Sequence, residues 1–457
     1  METPILKKNT SVPRQSIFVT EDGKNLLFTF ILVSSLFLLW GFCNGMIDVM
    51  DKHFQTELHL NLAQSAWVQF AHYLGYFLMS MPAGWLAIKL GYKGGIIAGL
   101  LLVTVGGFWF IPATHIASFR AFLLGVCVIA SGLTFLETVA NPYTTVLGDQ
   151  RFAATRINLA QSCNGVGWIF GPIAGRMYFY SKDAAGHSTG SQTLYIPYAA
   201  VAVVVIVLAV IFYFANVPDI KTADDYHLDD PTPDGSHSIW FHPHFVMAVA
   251  AQFFYVAAQA GIFSFFINYM TTQAPAIPPS WDSGVIHGLL ETSKNGTLCI
   301  SDGGASTLAS VGFICFLIGR FTGAGLLKKF SAHKILGLYA LLNVGVCLLI
   351  FCKLGWVSVI CVFLSYFFMS IMFPTIFALG IFGLGIRAKK ASAYIVMAIM
   401  GGAILPKLMG YVADKTDISR GFIVPIFCFL FIAFYSFAWP KLAKSEGMHS
   451  VDATRTH

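Results

Sequence analysis

Twelve apolar runs, each about long enough to cross a lipid bilayer, dominate this 457-residue chain. A membrane-spanning helix needs roughly 20 largely apolar residues. Runs of that kind lie near 26–50, 62–88, 94–113, 118–147, 155–178, 193–216, 243–270, 304–327, 333–352, 354–384, 389–413 and 421–440. Only 11% of the residues are charged and 56% are hydrophobic, against about 25% charged in ordinary soluble domains. The expected class is therefore an all-α membrane protein. Pro82, Pro142, Pro172, Pro374 and Pro406 punctuate the runs, as membrane helices tolerate when neighbours satisfy the freed backbone groups.

Basic residues set the expected orientation, because loops on the cytoplasmic side carry an excess of Lys and Arg. An even number of spans puts both termini on one side. That side collects Lys7, Lys8, Arg14, Lys24, Lys89, Lys93, Arg151, Arg156, Lys328, Lys329, Arg387, Lys389 and Lys390 among others, while the opposite side has fewer, including Lys52, Arg120, Arg176, Lys353, Lys415 and Arg420. Both termini are expected in the cytoplasm, in an inner-membrane protein. The polar stretch Val217 to Phe241 divides the runs into six and six. The resulting organisation is a cytoplasmic tail (1–25), a first six-helix bundle (26–216), a cytoplasmic linker (217–242), a second six-helix bundle (243–440) and a cytoplasmic tail (441–457). Two pseudo-symmetric halves of this kind are the architecture of major facilitator transporters. The N-terminal segment has no signal-peptide pattern, so the first run is expected to remain as an uncleaved helix.

Carboxylates inside such runs are expensive to keep, and by default they mark proton or substrate handling. Glu137 interrupts the fourth run and Asp48 lies near the end of the first. Helical spacing groups them with amides: Asn44 with Asp48 and Glu137 with Asn141, each four residues apart and so on one face. Asn158, Gln161 and Asn164 form a stripe on the fifth run, Gln252, Tyr255 and Gln259 on the seventh, and Tyr366 with Ser370 on the tenth. Amides facing lipid would be unsatisfied, so the stripes imply a shared polar cavity. Amides, carboxylates and aromatic faces with few cations suit a neutral polyhydroxy compound. Burial disfavours a carboxylate's charged form, so such a group can take a proton on one side and release it on the other. Sodium coupling stays open on this evidence.

Blander readings stand beside these. A membrane Asn or Gln often bonds a neighbouring helix, and Tyr255 and Tyr366 can be packing aromatics. Lys52 lies four residues after Asp48, so a helix-end ion pair is an alternative for that acid. Arg320 and Arg156 are explained by snorkelling or helix-end interactions. The nine Cys fall mostly in apolar runs and read as small core residues. His227, His237, His242 and His244 belong to a solvated connector, and Asn295-Gly296-Thr297 carries no functional weight. No His-Glu-x-x-His run, nucleophile elbow or Cys/His cluster points to an enzyme. No metal, cofactor or nucleic-acid partner is expected. The expected partners are a small neutral sugar, protons and the lipid bilayer, with the chain acting as a monomer.

A set of ordered segments carries a resemblance. They include Leu39-Trp40 with Asn44 and Asp48, Tyr76-Phe77 with Pro82-Ala83-Gly84, and Leu136-Glu137-Thr138 with Ala140-Asn141-Pro142. Further on come Asn158-Leu159-Ala160-Gln161, Tyr255-Val256 with Ala258-Gln259, Ile318-Gly319-Arg320-Phe321-Thr322-Gly323, and Met369-Ser370-Ile371 with Pro374-Thr375-Ile376-Phe377. Through nearly every run the chain resembles the L-fucose:proton symporter family of the major facilitator superfamily.

The resemblance implies sugar:proton symport by alternating access. It gives Glu137 a protonation role and Asp48 a role in substrate transport and coupling. It also places Asn44 and Gln161 in the cavity, beside the substrate candidates Asn141, Asn164, Tyr255, Gln259, Phe263 and Tyr366. Departures concern specificity. The fucose-type pattern has asparagines where this chain has Gly45 and Ile47, a tryptophan at Phe263 and an arginine at Asn268. The loop after the second run, Gly84 to Lys93, lacks the superfamily's usual acidic residue. L-fucose is the leading expectation. Glucose, galactose or N-acetylglucosamine follow, and a non-transporting sugar sensor on the same fold is the rival from another class.

Overall fold

The computed structural model describes residues 17–19, 24–148, 153–180, 190–218, 239–281, 287–292, 296–327, 330–382, 384 and 388–444. Most of the 217–242 linker, together with Asn295 and the tails beyond these limits, lies outside the described residues. So do the side chains of Asn141 and Asn158.

Among the described residues, ten helical stretches are long and apolar enough to cross a membrane. The two expected spans that miss this apolarity are helical as well. Span 2 is the first part of Trp67–Ile116, a helix that breaks at Gly91 before continuing as span 3. Span 5 is Ala153–Tyr178. Polar residues lower their hydropathy, among them Gln69, His72, Tyr73 and Tyr76 in span 2, and Gln161 and Asn164 in span 5. The polar residues that weaken a hydropathy signal are those that face the protein interior.

The remaining spans of the first half are span 1 (Leu27–Leu58), span 4 (Phe119–Val146) and span 6 (Tyr195–Phe214). In the second half, span 7 is broken at Phe265 into Pro243–Ser264 and Phe266–Gln273. Span 8 is Asp302–Leu327 and span 9 is Ala332–Phe351. Span 10 breaks at Ser370–Ile371 into Trp356–Met369 and Met372–Ile381. Span 11 runs through Ala388–Met397 and Gly401–Lys415, and span 12 is Ile423–Lys444. A two-stranded antiparallel hairpin, Leu290–Thr292 with Leu298–Ile300, stands before span 8 and is the only pair of strands among the described residues, beside two isolated bridges.

Span 1 is about two turns longer than its apolar run predicted, ending at Leu58 instead of near residue 50. Asp51, Lys52 and Gln55 read as a loop on hydropathy alone. They are helical because neighbouring elements supply their partners, as the site shows below.

Spans 1 and 5 touch backbone to backbone. A Cβ placed on Gly41 would lie 2.0 Å from the Asn164 carbonyl oxygen, and one on Gly171 would lie 2.4 Å from the carbonyl carbon of Gly45. Small residues permit this approach, which replaces a missing hydrophobic drive with close van der Waals packing. The contact fixes the rotation of span 1, and so decides where Asn44 and Asp48 point.

The two halves meet along span 5 and span 8, where Ser306 Oγ donates to the Pro172 carbonyl (2.6 Å) and Ser310 Oγ to the Ile169 carbonyl (2.7 Å). On the side of the molecule away from the termini, further bonds join them. Arg176 donates to Gly288 O (2.6 Å) and Thr307 Oγ1 (3.0 Å), and Lys52 faces Asp302 at 3.8 Å. Asp414 accepts from the backbone N–H groups of Leu62 (2.8 Å) and Ala63 (2.9 Å), at the start of the short helix that leads into span 2. On this far side the two halves are held together.

Candidate functional site

Glu137 sits on span 4, 8% exposed, and its Oε2 has no hydrogen-bond partner. A small recess beside it is walled by Leu36, Phe37 and Trp40 of span 1 and by Leu136 and Ala140 of its own helix. An unsatisfied buried polar atom costs about 1–3 kcal/mol. The cost is sustained here in a pocket whose other walls are apolar or indole. Directly across, the Trp40 indole N–H donates to the Tyr76 hydroxyl (2.6 Å), and Asn44 lies beside that same hydroxyl with its Oδ1 unpartnered.

Asp48, one turn further along span 1, is 5% exposed and differently held. Gln69 of span 2 donates to its Oδ1 at 3.1 Å, while Oδ2 has no partner. The helix-end ion pair offered as an alternative does not form: Lys52 faces Asp302, at 3.8 Å. The lysine lies one turn beyond Asp48, and rotation of the helix aims it at the head of span 8.

The other expected residues are placed as follows. Asn164, 3% exposed, donates through Nδ2 to the Phe37 carbonyl at 3.3 Å and so ties span 5 to span 1. The backbone carbonyl of Gln161 accepts from Arg320 Nη1 at 3.4 Å. The Tyr255 hydroxyl donates to the Met369 carbonyl at 3.1 Å, next to the break in span 10. Gln259 is half-buried and has no hydrogen-bond partner among the described residues. Phe263 stacks on Tyr366 (centroids 4.4 Å apart) and meets Trp168 of span 5 edge-on at 5.4 Å. Tyr366 is fully buried with its hydroxyl unpartnered. Asn141 falls on the helix of span 4, and its side chain lies outside the described part of the structure.

Arg320 corrects the snorkelling reading. Its guanidinium stacks over Phe316 at 4.9 Å and reaches the carbonyls of Ser370 and Gln161, each at 3.4 Å. It therefore bridges span 8 to span 10 and to span 5 of the opposite half. Arg156 does hold a helix end, as expected. Fully buried, it donates to the carbonyls of Thr144 (3.0 Å), Ile17 (3.0 Å) and Gly148 (3.3 Å).

Two groups escaped the sequence reading. The first is the span 2 stripe of Gln69, Tyr73 and Tyr76, with the His72 ring edge-on to Tyr73 and tilted against Tyr76, each at 5.0 Å. The Tyr73 phenol stands within electrostatic reach of Asp48, Tyr255, Glu137 and Asp51, so it is the point where the separate stripes converge. Gly402 of span 11 packs on this ring; a Cβ there would lie 2.3 Å from it. The stripe had a signal, since steps of four and three residues mark one helical face. The second is Asp51, fully buried and bonded to Ser264 of span 7. It had no clear signal, because it lies beyond the apolar run.

Comparison with known proteins gives the fold and the family. The Major Facilitator Superfamily model matches residues 29–351. The L-fucose-proton symporter of Escherichia coli (strain K12) is 34% identical over 454 residues, covering 94% of this chain and 98% of that protein. The glucose/galactose transporter of Brucella abortus (strain 2308) is 32% identical over 436 residues, covering 94% and 99%. Among solved structures, the transporter FucP in the outward conformation is 34% identical with a TM-score of 0.66, over 90% of this chain and 99% of that one. The D-xylose-proton symporter, at 13% identity and a TM-score of 0.67 over 91% and 97%, shares the fold alone. The chain belongs to the Major Facilitator Superfamily and, within it, to the family of the L-fucose-proton symporters.

Proposed function

We propose that this protein carries a neutral monosaccharide across the membrane together with a proton, by alternating access, with Glu137 as the proton carrier and Asp48 coupling proton to sugar. The observation that carries the reading is Glu137 itself: a buried carboxylate with an oxygen unpartnered among the described residues, in a recess with no cation among its described walls. An ionised carboxylate there has no counter-charge, and protonation removes that cost. Asn44, Gln69, Tyr73 and Tyr76 offer paired donors and acceptors to sugar hydroxyls. Asn141, Gln161, Asn164, Tyr255, Gln259, Phe263 and Tyr366 complete the candidate site. Trp168, Phe263 and Tyr366 present aromatic faces from both halves.

L-fucose is the first substrate to test, from the relative of that name, followed by glucose and galactose from the second relative. The departure at Gly45 has a physical reading. A Cβ there would lie 2.8 Å from the Trp168 carbonyl oxygen, so an asparagine does not fit without moving span 5. The hydroxyl-reading amide of the fucose-type pattern is therefore replaced by helix packing, which favours a changed sugar preference. The protein is read as a monomer in the inner membrane, with bundles 26–216 and 243–440, linker 217–242, and cytoplasmic tails 1–25 and 441–457. The test is uptake of a monosaccharide panel into proteoliposomes, with and without a proton gradient. Gradient-dependent accumulation of one sugar, with matching proton influx, is expected. Equal uptake of every sugar regardless of the gradient would overturn the reading.

A further inference from the structure

We propose that Asp51 is a third proton-binding carboxylate of this protein, and that its protonation is the condition for span 1 to close onto span 7 at Ser264. The proposal rests on the proton-coupled reading above but uses a different residue and a different step.

Asp51 is fully buried. Ser264 donates to Oδ2, while Oδ1 has no hydrogen-bond partner among the described residues; the neutral Gln69 amide that bonds Asp48 also stands close to this carboxylate. The bond crosses between the two halves, joining the first helix of one to the first helix of the other. Among the described residues, no cation answers the charge. Lys52, the next residue, is turned to Asp302. The remaining titratable groups around Asp51 are acids, phenols or an imidazole already packed. Asp48 lies one turn back on span 1 and within electrostatic reach. Tyr73 of span 2, Tyr180 at the end of span 5 and Tyr198 of span 6 are also within reach. The Tyr180 hydroxyl donates to the Val49 carbonyl (2.5 Å) and the Tyr198 hydroxyl to Met50 Sδ (3.1 Å), so neither phenol serves Asp51. His53 is packed among Phe54, Phe179 and Tyr180.

A bare carboxylate in that setting is opposed by its lost hydration and by the neighbouring Asp48, and one proton relieves both. The closed arrangement thus holds its proton on Oδ1, the oxygen without a donor, while Oδ2 accepts from Ser264. When Ser264 parts from Asp51 and the gap fills with water, the carboxylate is solvated and releases the proton to that water. Closure takes one proton up from the far side and reopening returns it. Acid on the far side therefore favours closure and alkali opposes it, without changing the number of protons carried per sugar. Just beyond, the side-chain amides of Gln55 and Asn268 bond each other across the same seam, so the switch lies beneath a polar cover that must part with it.

The test is difference infrared spectroscopy, between acid and alkaline pH, on the purified full-length protein in lipid vesicles. Wild type and Glu137→Gln should both retain a protonated-carboxyl C=O band that Asp51→Asn removes. Ser264→Ala should move that band to higher frequency without removing it, since one hydrogen bond is lost and the proton is not. A spectrum unchanged by Asp51→Asn would overturn the proposal, as would a band indifferent to Ser264→Ala. In sugar counterflow, wild type should slow by about tenfold as the far side is made alkaline, one pH unit corresponding to tenfold in proton occupancy. Asp51→Asn, neutral at every pH, should be flat. A wild type without sugar-driven proton influx, but with the Asp51-dependent band, would sink the symport reading and leave this proton site standing.

Discussion

Glu137 and the Asp48–Asp51 pair are buried to similar degrees yet live in different company. Glu137 lies within the first half, in a recess made by spans 1 and 4, and among the described residues none of its recess neighbours comes from the second half. Asp51 lies on the seam, held by Ser264 of span 7, and Asp48 stands one turn away, held within the first half by Gln69 of span 2. An isolated acid can change its charge without moving a helix, whereas an acid on the seam cannot change its charge without altering what holds the halves together. On the proposed reading, similar burial serves two kinds of task, storage of a proton and linkage of a proton to movement.

The largest predicted effect tests the isolated acid. Glu137→Gln should lower gradient-driven sugar accumulation by about two orders of magnitude, because an intramembrane carboxylate is the costly, functional element. Counterflow, which needs no net proton movement, should persist in the same vesicles. Loss of both together would erase the distinction between the two regions.

Asp48→Asn should cut net uptake by about tenfold and abolish sugar-driven alkalinisation recorded with a pH-sensitive dye, since it leaves the shape and removes the ionisable group. Normal alkalinisation by this variant would move Asp48 out of coupling altogether. Gln69→Leu sharpens the contrast further. Removing the donor to Asp48 Oδ1 should weaken sugar binding by roughly fivefold, in line with about 1 kcal/mol for one hydrogen bond, and should leave Glu137-dependent accumulation intact. Binding assays on the two single variants and on the Gln69→Leu/Glu137→Gln double variant would show whether the effects are independent.

The smallest effect lies on the far side. Asp417 pairs with Lys353 at 2.7 Å, 22% exposed against 42%. Partial burial pushes its carboxyl up. The Lys353 ammonium and the backbone N–H groups of Arg420 and Ser419 outweigh that push and hold it below the usual aspartate range. A depressed native value means the pair's contribution is fully present above the unfolded aspartate pKa, near ~4, and is lost as pH falls through the lower native value. Asp417→Asn should therefore reduce thermal stability at neutral pH by about 0.5 kcal/mol or less, as exposed pairs do. The deficit should vanish in strong acid. A deficit that survives acid would mean the aspartate acts through its cap on the Ile418–Gly421 turn and not through its charge.

Much of the architecture was legible in hydropathy, because the bilayer imposes one length on every span and one rule on every backbone. Glu137 and Asp48 were legible for the same reason, as charges where charges are costly. The stripe of Gln69, Tyr73 and Tyr76 was legible in principle from its spacing and passed unremarked. Asp51 and Gln55 were not legible. They follow the apolar run, and the reason that helix continues through them lies in Ser264, Ser65 and Asn268. The Asp48–Lys52 pair was the local alternative, and it does not form because Asp302, some 250 residues later in the chain, faces Lys52 instead.

The sequence by itself determined the number and order of the membrane helices, the presence of costly acids within them, and the family. Each of these is a local property of the chain or a sum of local properties. Only the tertiary structure decided which oxygen of Asp48 has a donor and that Asp51 is buried between the halves. It also decided that Arg320 bridges three helices and that Gly45 is occupied by helix contact and has no room for a side chain. These depend on the rotation of each helix about its axis and on partners hundreds of residues away, which packing sets and hydropathy does not encode.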